Sequence, residues 1–381
     1  MKKYIVILLA AVVAFAACTK VNPEEKKAEK ISFSVANYAT LTKAYVSILN
    51  EVGTAGFMSK AYLHAAGVTD VQKFFGENGE NITYKNSEWT PSRDYYWPKS
   101  PDSYLNFVSW FNKDILLPDA ANSEFISTET SFEWLHCVVS PDQNPNANIM
   151  WADKAWYYTK NTTSAVNNTT AGLTGAFGQD VTLGVPTLFH HALAKLTIKA
   201  KAAKTEKGET GKVTSWDITI KNAKITNYHK MGDLQIFASR APSGQGPRIG
   251  SYQGNYQSSH VWAPVGGETY LGDIALDDTD VLTTTAVDVL AESSILPQEL
   301  TAGTNQLTFD IDIVAKYNGV QYSHEVMPVA VDLKTTEIPA WYMNTKYIYT
   351  VTIDPETEVI KFDPAAIDWE EEEAAIAWPA E

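Results

Sequence analysis

Leu307-Thr308-Phe309-Asp310-Ile311-Asp312-Ile313 alternates apolar and polar residues without a break. That period of two belongs to a strand with one buried and one wet face. Trp216-Asp217-Ile218-Thr219-Ile220 repeats it, and Tyr347-Ile348-Tyr349-Thr350-Val351-Thr352-Ile353 is β-branched and aromatic throughout, as strands prefer. Phe132 to Val139 is a further apolar, strand-like run. Helical periodicity is rare; only Val46 to Leu49 and Lys60 to Ala66 read as short helical pieces. Many short strands with Gly, Pro and Asn between them predict an all-β chain of β-sandwiches. Lys160–Ala176, Lys201–Lys212 and Ala241–Ser259 read as loops, the last with two prolines and four glycines. A domain boundary fits near residue 187, just before the run Leu188 to Ile198. This divides the chain into an N-terminal domain over 31–187 and a C-terminal domain over 188–381. The pattern leaves open which of them owns the 188–198 strand.

The first residues follow a different pattern. Met1-Lys2-Lys3 is basic, Tyr4 to Ala17 is uncharged and mostly apolar, and small residues precede Cys18. A basic start, an apolar run and small residues at the cut describe an export signal over 1–17. The run is shorter than the ~20 residues of a membrane-spanning helix. Phe15-Ala16-Ala17-Cys18 resembles a bacterial lipobox, with Phe15 where Leu is usual, which marks Cys18 for lipidation. Residues 18–30, polar and carrying Glu24-Glu25-Lys26-Lys27, read as a flexible tether.

Composition narrows the function classes. The net charge of −15 argues against a nucleic-acid partner. Once Cys18 is lipidated, Cys137 is the only thiol, so no intramolecular disulfide forms; its apolar surroundings predict a buried structural thiol. None of the seven histidines shows metal-ligand spacing. His190 and His191 are adjacent and on a strand face opposite ways, one packed and one wet. Asp310 and Asp312 share a polar strand face and read as solvated, as does the acidic run Asp368, Glu370, Glu371, Glu372, Glu373. No nucleophile elbow or phosphate loop occurs. The expectation is a non-enzyme with no catalytic residues, metal or cofactor. Trp89, Tyr95, Tyr96, Trp97, Tyr104, Phe107, Trp110 and Phe111 crowd one region. Rings of this kind either stack on sugars or fill a sandwich core, and the core is the favoured reading.

A set of segments in fixed order carries a family resemblance. After the lipobox come Lys43-Ala44, Tyr96-Trp97-Pro98 and Leu105-Asn106-Phe107. Phe189-His190-His191-Ala192-Leu193-Ala194-Lys195-Leu196, Ile295-Leu296-Pro297-Gln298, Trp341-Tyr342-Met343-Asn344-Thr345-Lys346-Tyr347-Ile348-Tyr349 and Ile367-Asp368-Trp369 follow. Over nearly its whole length the chain resembles the fimbrillin-like family of Gram-negative anaerobes, the pilins and related lipoproteins of type V pili. Asn344 departs from the family's usual Gly, but Asn also tolerates a left-handed turn. Lys43 stands where pilins cut by an arginine-specific protease carry Arg.

The resemblance implies two tandem transthyretin-like, Greek-key β-sandwich domains. It also implies export as a lipoprotein precursor anchored in the outer membrane through Cys18, and cleavage between Lys43 and Ala44. The cut removes a first strand whose Ile31, Phe33 and Val35 face a groove. A donor strand from another subunit's C-terminal region refills that groove. Here the donor residues would be Val359, Ile360, Phe362, Ile367, Trp369, Ile376 and Trp378. The implied partners are other pilus subunits, in a homo- or heteropolymer at the cell surface, and a host or glycan ligand in adhesion. The alternative is a tethered surface lipoprotein that binds glycans through exposed aromatics.

Overall fold

A computed structural model describes residues 29–37, 55–86, 88–100, 102–114, 124–158, 184–237, 248–250, 262–264, 271–357 and 359–368. Their elements are strands. In chain order these are β1 (Phe33–Asn37), β2 (Phe57–His64), β3 (Gln72–Lys73), β4 (Glu80–Lys85), β5 (Glu88–Pro91), β6 (Tyr104–Lys113), β7 (Glu124–Ser127), β8 (Ser131–Val138), β9 (Asn148–Ala152), β10 (Lys154–Tyr158), β11 (Val185–His191) and β12 (Ala194–Ala202). The second half carries β13 (Glu206–Glu209), β14 (Lys212–His229), β15 (Met231–Phe237), β16 (Arg248–Gly250), β17 (Ala263–Pro264), β18 (Leu271–Ala275), β19 (Val287–Ile295), β20 (Gln298–Glu299), β21 (Gln306–Tyr317), β22 (Val320–Asp332), β23 (Ala340–Trp341), β24 (Thr345–Asp354) and β25 (Val359–Asp368).

The first core is enclosed by strands whose pairings close on themselves. β6 bonds to β9, β9 to β11, β11 to β1, β1 to β5, β5 to β4, β4 to β2, and β2 back to β6. The inward side chains are large and mostly aromatic: Phe33, Phe57, Phe75, Trp89, Trp97, Phe107, Phe111 and Phe189 pack with Ile31, Val35, Ile82 and Val185. Closure leaves few free edges in this ring. Of the crowded aromatics, Trp89, Trp97, Phe107, Trp110 and Phe111 are buried; only Tyr96 is largely exposed, at 42%. The rings therefore fill cores rather than form a sugar platform.

A second core lies between two sheets. One runs β19-β12-β24-β25; the other runs β13-β14-β21-β22, with β18 on β14. Leu196, Ile198, Tyr349, Val351 and Ile353 from the first pack with Ile218, Ile220, Leu307, Phe309 and Ile311 from the second. The perfect alternation of β21 translates into alternate burial along its whole length up to Lys316. On its polar side Asp312 accepts from Lys221 at 2.8 Å and lies 2.7 Å from His324, and Asp310 accepts from Asn222 at 2.8 Å. These aspartates are paired across the sheet surface. Cys137 is buried in this core, and burial, with Asp233 nearby, pushes its thiol up to about 12.

Position 187 is bridged by strand pairing. β15 pairs with β8 in a sheet ordered β17-β15-β8-β7, and β16 pairs with β10. The run 188–198 is two strands, not one. β11 ends at His191, β12 begins at Ala194, and Ala192-Leu193 makes the turn. Both turn residues are fully buried, so the polar composition that betrays most turns is missing. β11 belongs to the ring with β1 and β9, while β12 pairs with β19 and β24. Asn344 adopts φ 60°, the left-handed turn that Gly usually supplies, and donates its N–H to Leu193 at 2.9 Å.

Two local expectations are corrected. Lys60–His64 is not helical but part of β2, which pairs with β6 from Met58↔Trp110 to His64↔Tyr104; Ala61 and Leu63 favour a helix, and sheet pairing overrides them. Lys201–Lys212 is not a loop but contains β13, which turns back on β14 from Glu206↔Ser215 to Glu209↔Lys212. The Val46–Leu49 segment lies outside the described residues, as do all of 160–176 and most of 241–259.

Candidate functional site

The first strand is fully laddered on one edge only. β1 runs parallel to β11 along its whole length, from Phe33↔Val185 to Asn37↔Phe189. Its other edge meets β5 at one pair, Phe33↔Trp89, and the residues before it form an isolated bridge, Lys30↔Tyr96. Ile31 donates to the Tyr95 carbonyl at 2.8 Å, Trp97 donates to Glu29 at 3.2 Å, and Val185 donates to Ser32 at 2.8 Å. All three latches lie at the N-terminal end of the strand.

Side chains supply most of the grip. Ile31, Phe33 and Val35 are 1%, 4% and 2% exposed. The Phe33 ring sits edge-on to Phe107 at 5.5 Å and to Phe57 at 5.7 Å, with Phe75 at 6.4 Å. Full burial of such side chains stabilises by about 1.5–3 kcal/mol each, so the three together contribute roughly 5–9 kcal/mol.

Neighbouring groups shape this seat. Glu80 accepts from Tyr95 Oη at 2.6 Å, from Arg93 Nε at 2.8 Å and from Ser92 Oγ. Burial alone would raise its pKa, but these bonds outweigh it and hold the carboxyl below its ordinary value. They anchor the segment whose backbone bonds Ile31. On the opposite side, a Cβ placed on Gly184 would stand 2.7 Å from the Phe33 carbonyl carbon and 3.0 Å from its Cα and N. Only glycine lets the start of β11 approach the strand so closely.

At the other end of the chain, β25 pairs antiparallel with β24 from Thr345↔Asp368 to Asp354↔Val359 and forms the edge of its sheet. Ile360, Phe362 and Ile367 are half-buried, with Phe362 stacked on Tyr349 at 5.2 Å, whereas Val359 is exposed. Cys18, Lys43, Ala44, Trp369, Ile376 and Trp378 lie outside the described residues. Among the described residues no group of three or more His, Cys, Asp and Glu side chains could hold a metal ion. The histidine pair splits as strand geometry requires. His191 is buried and lies 3.1 Å from Asn148 Oδ1 through Nδ1, while His190 stacks on Trp151 and lies 3.1 Å from Asp153. His190 is nevertheless largely covered, its side chain 13% exposed, so neither member is the wet histidine that alternation implied.

The family resemblance named the apolar residues of β1; sequence reasoning missed Gly184 and the Glu80 cluster. It also missed a group under the β7–β8 hairpin, formed by Glu129, Asn106, His64 and Lys154. A lone Asn and a lone Lys in apolar strands were the only traces of that group.

A family model described as fimbrillin-like matches residues 53–369. A fimbrial protein from Bacteroides vulgatus is 14% identical, with 89% of this chain and 99% of that chain covered and a TM-score of 0.46. A candidate cell adhesion protein from Bacteroides uniformis is 17% identical, covering 89% and 98%, with a TM-score of 0.40. The tip fimbrial protein Mfa3 from Porphyromonas gingivalis is 11% identical, covering 90% and 100%, with a TM-score of 0.31. No curated protein matches the chain.

Proposed function

The chain belongs to the fimbrillin-like family, and from that premise we propose that it is a non-enzymatic pilus subunit of the cell surface, made as a lipoprotein and assembled by strand exchange. Cys18 carries the lipid in this reading, and proteolysis at Lys43-Ala44 releases the first strand. The observation that supports it most is the seating of β1. The strand is bonded fully on one edge and only near its N-terminus on the other, yet three apolar side chains fill the ring behind it. A cut just after such a strand leaves it held by few backbone bonds. Its departure uncovers an apolar groove beside the unpaired edge of β11, the kind of surface that accepts an added strand.

The donor comes from the C-terminal region of the next subunit. Val359–Asp368 is engaged with β24 in its own sheet, so use of Ile360, Phe362 and Ile367 requires β25 to leave that sheet. Trp369, Ile376 and Trp378 follow it and complete the candidate donor. Adhesion through the polymer, to a host or glycan ligand, completes the role.

Sizing chromatography of three chains tests the reading. A chain starting at Lys20 should remain monomeric. A chain starting at Ala44 should form ladders of oligomers. Deleting Val359 to Glu381 from the Ala44 form should abolish the ladders, with melting checked to confirm that the second core survives. A stable Ala44 monomer at high concentration would refute strand exchange. Incorporation of labelled fatty acid that persists after Cys18→Ala would refute lipidation.

A further inference from the structure

We propose that the protein forms an internal amide cross-link between the side chains of Lys154 and Asn106, with Glu129 as the proton carrier.

The sheet places these groups together. β10 pairs antiparallel with β6 at Ala155↔Phe107, which sets Lys154 and Asn106 diagonally on one face. Diagonal neighbours lie within reach of a long side chain. Phe107 and Ala155 point into the ring, so Asn106 and Lys154 point out of it. There the β7–β8 hairpin covers them: Asn106 is 1% exposed and the Lys154 side chain 0%. Glu129 stands at the turn of that hairpin. Its Oε1 accepts from Asn106 Nδ2 at 2.6 Å and from Lys154 Nζ at 3.3 Å, so amine and amide share one carboxylate oxygen. Lys154 also donates to the Glu129 backbone carbonyl at 2.6 Å. His64, stacked on Tyr104 with ring centres 4.7 Å apart, lies 2.9 Å from the same Oε1 and 3.2 Å from Asn106 Nδ2.

A lysine buried beside one carboxylate is a costly way to hold two strands together, since desolvation offsets much of the attraction. Burial pushes the Lys154 ammonium down to about 8, against the pull of Glu129. The neutral amine that nucleophilic attack requires is therefore accessible near neutral pH.

The chemistry closes without a co-reactant. Burial raises the Glu129 carboxyl, but Lys154, Asn106 and His64 together hold it below its ordinary value, so its protonation is transient: it takes one proton from the Lys154 ammonium, leaving an amine and a carboxylic acid. Nζ attacks Cγ of Asn106, forming the new C–N bond. Glu129 delivers its proton to the departing nitrogen and takes one from Nζ. The Cγ–Nδ2 bond breaks, ammonia leaves, and Glu129 loses its remaining proton to solvent with the ammonia. The product is a secondary amide joining β10 to β6; nothing is oxidised or reduced. Hairpin cover keeps water from competing for the carbonyl.

The test is mass spectrometry of the full-length chain, held folded for several days, then denatured and digested. The expected result is a cross-linked peptide lighter than its two parts by one ammonia, with fragment ions placing the bond between Asn106 and Lys154 and no tryptic cleavage after Lys154. In Glu129→Gln the two peptides should be recovered separately, with cleavage after Lys154 restored. Complete cleavage after Lys154 in the wild-type digest, or labelling of Lys154 by an amine reagent after denaturation, overturns the proposal. Conversion of Asn106 to aspartate overturns it as well. The wild-type digest decides the matter alone if the Glu129→Gln chain does not fold.

Discussion

Replacing Phe33 by alanine should loosen one part of the molecule and leave the rest alone. The ring is 4% exposed and lies within 6.4 Å of three other aromatic rings on the inner wall of the first core. Emptying a buried Phe site typically costs about 3–5 kcal/mol, a transfer loss plus a cavity that rigid neighbours cannot close. The loss falls on a strand with a full ladder on one edge only. The affected opening should therefore be the release of β1, not global unfolding. Native-state hydrogen exchange reads this directly. At a factor of ten per 1.4 kcal/mol, amides in the β1–β11 ladder should exchange roughly 10²–10³ times faster or more. Amides of β12 and β24, in the second core, should keep their rates. The exposed Val359→Ala change should stay within about 0.5 kcal/mol and serves as control. Equal acceleration in both cores, or none in β11, would show that the first strand is not a separable unit and would remove the physical basis for its exchange.

Gly184→Ala should weaken the same seat by about 1–3 kcal/mol through overpacking against the Phe33 backbone. In denaturant melts its effect should fall short of additivity with Phe33→Ala, because both act on one strand. Acid should destabilise the fold through His191, whose pKa burial lowers to about 3, with Lys195, Lys346 and His190 adding to the effect. The unfolded chain takes up the proton near 6.5 while the folded chain refuses it, so stability is full above about 6.5 and falls as pH drops towards 3. Between pH 7 and 5 the loss should be about 2 kcal/mol. His191→Gln should flatten that part of the pH profile, and an unchanged slope would count against the assignment.

Strands with one wet face were readable in the sequence because the period of two survives in them. β14, β21 and β24 lie where alternation and β-branched residues put them; the family resemblance, not the period, points to the burial of Ile31, Phe33 and Val35. The signal fails where both faces are covered. β9 is buried at all five positions, and β2 has buried Ala61 and Tyr62 side by side. Such strands lose alternation, which is why Lys60–Ala66 imitates a helix. The turn at Ala192-Leu193 is hidden by the same burial. The Glu129 cluster left only a lone Asn and a lone Lys as traces in the sequence. Its members come from β2, β6, β10 and a hairpin turn, and only the folded sheet register brings them together.

The parallel pairing of Phe33 with Val185 also orders events in time. Most of the N-terminal half of the chain lies between the two residues, and a parallel neighbour cannot be reached by a tight hairpin. As the chain is synthesised, β1 must therefore wait for β11 to be made before it can dock. During that interval Ile31, Phe33 and Val35 have no partner, and the open ring has no closing stave. Closing so long a loop is slow more than it is unfavourable. The strand made before its neighbours is thus among the last to be seated, and its apolar side chains stay uncovered longest while the fold assembles.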